Sequence, residues 1–101
     1  MENSKTFLVI TAIVNKQNIA EVPEYLGSVM KIFGQNGGKP IGRYKTINPL
    51  IGEDSPEMMA IIEFKNSKTI EDMVKGETFN ELAELRARVF SKLNMIISQN
   101  M

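Results

Sequence analysis

Thr6-Phe7-Leu8-Val9-Ile10-Thr11-Ala12-Ile13-Val14 is apolar at nearly every position and rich in β-branched side chains. Such a run predicts a β-strand covered on both faces rather than one that shows a face to water. A signal peptide would lie in the same place. However, the leader Met1–Lys5 has no net positive charge and no small-residue cleavage site follows the run, so the strand is the better reading. No segment approaches the ~18 apolar residues needed to span a bilayer. The expectation is a soluble cytoplasmic protein.

Working outward, Asn15–Asn18 reads as a polar loop. Val22, Tyr25, Leu26, Val29, Met30 and Phe33 then fall at helical spacing. Pro23 suits the first turn of that helix, where no amide hydrogen bond is lost. Gly27 inside it costs up to ~1 kcal/mol relative to alanine, which close packing of another backbone would explain. Gly34, Gly37 and Gly38 end it. Lys39–Ile47 is a second strand that starts at an edge or carries a bulge, because Pro40 lacks an N–H. Asn48–Glu57, with Asn-Pro, Ile-Gly and Ser-Pro, is a loop. Met58–Phe64 is a third strand, apolar except for Glu63. Ser67–Lys75 is a short helix closed by Gly76. Thr78 and Glu81 match a capping box that opens a last helix running to Leu93. Met95–Ser98 is a short fourth strand.

The order β-α-β-β-α-α-β predicts an α+β, ferredoxin-like sandwich with an antiparallel four-stranded sheet. Its helices cover one face only. The first and third strands are apolar on both faces, so the second face predicts a second copy of the chain, the two sheets closing as a dimeric α/β barrel. The 101 residues suit one domain, 1–101, which buries about 65 % of the surface its unfolded chain exposes.

Lysine and arginine total 12, as do aspartate and glutamate, so the formal charge is zero. The basic footprint of a nucleic-acid binder is missing. There is no cysteine and no histidine. Thiol nucleophiles, zinc–thiolate sites, Ser–His triads and histidine-ligated haem are thereby excluded. No cofactor and no metal site is expected. The scattered methionines read as core filler.

Two charges are misplaced. Arg86 interrupts the apolar stripe Phe79, Leu82, Ala83, Val89, Phe90, Leu93, while Arg88 falls on the polar side. A guanidinium stays charged at any ordinary pH, so within apolar surroundings it requires a partner, a ligand or a route to water. Glu63 is the matching anomaly in the third strand. The two form a salt bridge between helix and sheet if Glu63 faces the helices; if not, Glu63 lines the barrel interior. A third reading has Arg86 snorkel to solvent. Arg43 and Lys45 share a strand face; they either neutralise an anionic ligand or protect an exposed edge. Tyr25 belongs to the core stripe, with a hydroxyl that needs a partner.

Gly37-Gly38, Arg43 in the next strand, Ile61-Ile62-Glu63-Phe64 before a serine-started helix, and Phe79-x-x-Leu with Arg86 come in an order and spacing that resembles the domain-of-unknown-function family 1330. That family sits in the dimeric α/β-barrel superfamily. The resemblance covers the whole chain and implies a ferredoxin-like protomer, a homodimer and no established reaction. It implies recurrent polar positions at Gly38, Arg43, Glu63 and Arg86. The chain departs from the family in lacking a tryptophan in Ile51–Pro56 and in having Phe79 where a tyrosine is common. Some members of the superfamily degrade haem with histidine, others oxidise polyphenols without a cofactor, and others isomerise lactones.

The expected function is binding of a small organic molecule, anions being one class among the candidates, in a helix–sheet cleft, with Arg43, Glu63, Arg86, Tyr25 and Gly38 as candidate ligand-binding residues. One alternative is a cofactor-independent monooxygenase or isomerase with Glu63 as general base, its carboxyl activated by burial. The other is a structural module whose charges serve only the fold. Partners are the chain itself and a small molecule, not nucleic acid or membrane.

Overall fold

A computed structural model describes residues 5–101; Met1–Ser4 of the leader lie outside them. The first strand, β1, spans Thr6–Val14. The polar stretch after it winds into a 3-10 turn, Lys16–Glu21, rather than a loop. The Asn15 side chain accepts a hydrogen bond from the Gln17 amide at 3.1 Å, which caps that turn. Helix α1 follows at Val22–Gln35 with Pro23 in its first turn. It continues past Gly34 and stops where Gly37 takes φ +83°, a left-handed conformation that costs glycine nothing. The Gly38 amide then donates to the Phe33 carbonyl at 2.7 Å.

Strand β2 covers Lys39–Lys45, two residues shorter than expected, and its register shifts between Pro40 and Gly42. Strand β3 is Met58–Phe64 and helix α2 is Ser67–Lys75, both as predicted. The Asn66 side chain caps α2 through the Thr69 amide at 2.9 Å.

The segment after Gly76 departs from expectation. Helix α3 is a single turn, Glu77–Asn80, and begins at Glu77 without a side-chain cap. Thr78 therefore lies inside the turn, and no capping box with Glu81 forms. The Asn80 amide group donates to the carbonyls of Gly76 (2.7 Å) and Val74 (3.1 Å). This local bonding competes with helix continuation. Helix α4 restarts at Ala83 and ends at Val89, and β4 runs from Phe90 to Gln99. Phe90 and Leu93 are thus strand residues. The backbone of β1 needs a partner along its whole second edge, and β4 supplies it from Val14 opposite Phe90 to Thr6 opposite Gln99.

The sheet order is β2-β3-β1-β4, antiparallel throughout. Residues directly across a ladder share a face. Leu8, Ala12, Ala60, Ile62 and Phe64 face the helices and are buried with Tyr25, Val29, Phe33, Ile70 and Val89. Two edge-to-face aromatic pairs lock this layer, Tyr25–Phe90 at 5.3 Å and Phe33–Phe64 at 6.0 Å between centroids. The opposite face carries Phe7, Val9, Ile13, Met59, Ile61 and Ile96, with Val9 directly between Ile61 and Ile96 and no helix of the described residues over them.

Candidate functional site

Arg86 finds neutral partners rather than an acid. Its Nε donates to the Tyr25 hydroxyl at 2.9 Å and its Nη2 to the Phe79 carbonyl at 3.0 Å. The guanidinium carbon lies 4.1 Å from the Phe79 ring centroid and 5.7 Å from that of Tyr25. A cation is stabilised over an aromatic face because the ring quadrupole is negative there. Phe79 thus supplies both a ring and a carbonyl, neither of which needs the hydroxyl of a tyrosine. Tyr25 is 2 % exposed. Burial pushes its phenol above the ordinary value, an effect partly offset by the hydrogen bond from Arg86.

The expected Arg86–Glu63 bridge is absent. Glu63 stands across β1 from Phe7 and across β2 from Lys39. It therefore shares the bare sheet face with Met59 and Ile61, with the sheet itself between it and Arg86. Strand period decides this: Ile62 and Phe64 take the helix side, so Glu63 takes the other. Gly38 serves packing. A Cβ there would lie 2.8 Å from the Phe33 carbonyl oxygen and 2.8 Å from the Phe64 ring, closer than real contacts allow.

Arg43 lies elsewhere. It stands across from Ala60, on the helix side of the edge strand. There it lines three adjoining hollows with Leu26. The largest, about 680 Å³, runs between the start of α1, β2 and the 46–57 loop, and includes Ile19, Tyr44, Lys45 and Met58. A second, about 610 Å³, is walled by Pro23, Leu26, Gly27 and Met30. The third is a narrow fissure toward Val29, Phe33 and Ala60. Together they make an apolar groove with Arg43 at its junction. Neither Arg43 nor Lys45 enters an ion pair among the described residues.

Glu57, at the end of a loop whose sequence carries no sign of a site, is the carboxylate of this groove. It accepts from Lys16 Nζ at 2.8 Å and from the Val14 amide at 2.9 Å. The Lys16 hydrogen bond is the main cause of its lowered pKa, with the Val14 amide second. A second pair missed in the sequence, Arg88–Glu21, joins α4 to the 3-10 turn at 2.7 Å and lowers the Glu21 pKa. Only the acidic residue just before the helix hints at it. Of the five candidate residues, the structure brings Tyr25 and Arg86 together. It places Arg43 in the groove, Glu63 on the far face and Gly38 in the core packing.

A four-stranded antiparallel sheet with helices on one face, in the order β2-β3-β1-β4, defines a ferredoxin-like α+β protein. The chain belongs to the family described as Domain of unknown function (DUF1330), which matches residues 5–101. Solved structures agree on the fold. A protein of unknown function from Rhodopseudomonas palustris superposes with a TM-score of 0.80 at 14 % identity, over 99 % of this chain and 85 % of that one. A DABB-family protein with a ferredoxin-like fold from Mesorhizobium loti gives 0.71 at 13 % identity, over 98 % and 99 %. A protein from Arabidopsis thaliana gives 0.74 at 9 % identity, over 95 % of each chain. No curated protein matches the chain.

Proposed function

We propose that this protein binds a small organic molecule in the groove between α1 and β2, and that it does so as a homodimer closed across the bare sheet face. The groove carries the reading: it is apolar, of a size that suits small ligands, and Arg43 stands at its junction without an acid partner among the described residues. The bare face supports the dimer, since six apolar side chains share it and no helix of the described residues covers them.

Glu63 is separated from this groove by the sheet, so nothing in the geometry favours the alternative in which it acts as general base there. The structural-module alternative draws support from Arg86, whose hydrogen bonds both go to the fold's own groups. A thermal-shift panel of small organic metabolites decides between binding and scaffolding. A raised melting temperature that is lost in Arg43→Met supports the groove. A panel in which nothing raises it removes the binding reading.

A further inference from the structure

Gly27 sits in the middle of a fourteen-residue helix with no structural need for a glycine. Its φ is not positive. A Cβ built on it meets nothing within 4 Å. The close backbone packing that would explain a helical glycine is therefore missing, yet the glycine costs α1 roughly 1 kcal/mol relative to alanine. Gly27 lies on the exposed side of α1, where it borders the open hollow of about 610 Å³ with Pro23, Leu26, Met30 and Arg43.

The charge around that space is one-sided. Arg43 and Lys45 lack ion-pair partners among the described residues. The one acid on the lining of the hollows that Arg43 shares, Glu57, is already held by Lys16 and the Val14 amide. Beyond the charged groups the walls are mostly apolar, Leu26, Met30, Ile19 and Met58 among them, with Thr46 and Ser55 at the loop side; the methionines adapt to an irregular chain. From Pro23 to Met30 the helix runs about 10 Å, a length that suits an extended tail rather than a compact metabolite.

The geometry points to an amphipathic organic monoanion as the ligand, a medium-chain carboxylate in chemical class. The carboxylate lies on Arg43, with Lys45 beside it, and the tail runs along α1 over Gly27, whose missing side chain leaves that path clear. Arginine suits a planar carboxylate because its fork of donors meets both oxygens. This inference rests on the groove reading above and adds the class of ligand and the residue that admits it.

Calorimetric titration with decanoate, and with 1-decanol as its neutral counterpart, tests it. Decanoate is expected to bind and decanol to bind at least about tenfold more weakly, a loss of about 1.4 kcal/mol. Arg43→Gln weakens decanoate by a similar factor and leaves decanol unchanged. Gly27→Leu, a good helix former in open space, keeps or raises the melting temperature and abolishes decanoate binding, while Gly27→Ala retains it. Gly27→Leu that binds decanoate like the wild type overturns the tail path. Equal binding of decanol, or none of decanoate, overturns the anionic class; a hit from the metabolite panel that Gly27→Leu blocks leaves the groove itself standing. A sedimentation shift in Gly27→Leu assigns the hollow to a second copy of the chain and overturns the inference.

Discussion

At the scale of single residues, the Arg86–Tyr25 contact shows how a permanent charge is held half-buried at the edge of an apolar layer with no counter-charge among the described residues. The guanidinium spends its donors on a phenol and a carbonyl and lays its face on Phe79. Arg86→Met keeps the length of the stem but leaves the buried Tyr25 hydroxyl without its donor. Arg86→Met and Tyr25→Phe are each expected to lose about 1–2 kcal/mol in urea unfolding, and the double variant clearly less than the sum. Additive losses would show that the bond contributes nothing of its own. Tyr25 also carries a pH signature. Its phenol pKa is raised in the folded state, chiefly by burial, so the unfolded chain gives up that proton first. The contribution to stability is full below about pH 10 and is lost as pH rises through the folded-state value. Tyr25→Phe flattens that alkaline decline. Gly38→Ala, which forces a methyl against the Phe33 carbonyl and the Phe64 ring, is expected to cost about 1–3 kcal/mol. None of these partners could be read from the sequence. Arg86 was recognisable as an anomaly, but whether Glu63 answered it depended on which face of β3 looks inward, and that strand is apolar on both.

Among the elements, β1, the 3-10 turn and the approach to β3 are joined by Glu57. Its carboxylate takes the last amide of β1 and the Lys16 ammonium, while its own amide donates to the Ala12 carbonyl at 2.9 Å. Hydrogen bonding to Lys16, then to Val14, lowers its pKa from the ordinary 4.5. Its contribution is therefore present above that value and is lost as the pH falls through the lowered folded-state pKa. Wild type should lose stability in acid more steeply than Glu57→Gln, as measured by melting temperature between about pH 6 and pH 3. Identical slopes would refute the role. Strands β1 and β3 and helix α2 were legible to the residue because their patterns are long and their borders carry turn residues. The junction of α4 and β4 was not. Phe79 to Leu93 keeps a helical period through Val89 and Phe90, and only the long-range demand of β1 for a second neighbour turns Phe90 and Leu93 into strand.

For the whole molecule, the proposed dimer makes the bare face testable. Ile61→Lys, at the centre of that face, is expected to yield a monomer by sedimentation while the far-ultraviolet spectrum is retained. A monomeric wild type at micromolar concentration would instead remove the dimer. The sequence revealed the doubly apolar strands from which this face was inferred, but not the groove, whose walls come from α1, β2 and the 46–57 loop and meet only after folding. The strand order has a further consequence for how the chain reaches this state. Strand β1 is made first yet ends in the middle of the sheet, between β3 and β4, and Thr6 waits for Gln99. Both its neighbours come from distant sequence, so loop closure has to precede their pairing. During synthesis on the ribosome its nine residues, apolar at nearly every position, remain without a neighbour on either edge until the strands that flank them emerge. An exposed run of that kind is prone to association. Demand for a chaperone should therefore concentrate on the nascent chain, and changes that speed pairing of β1 with β4 should raise soluble yield without raising the stability of the finished protein.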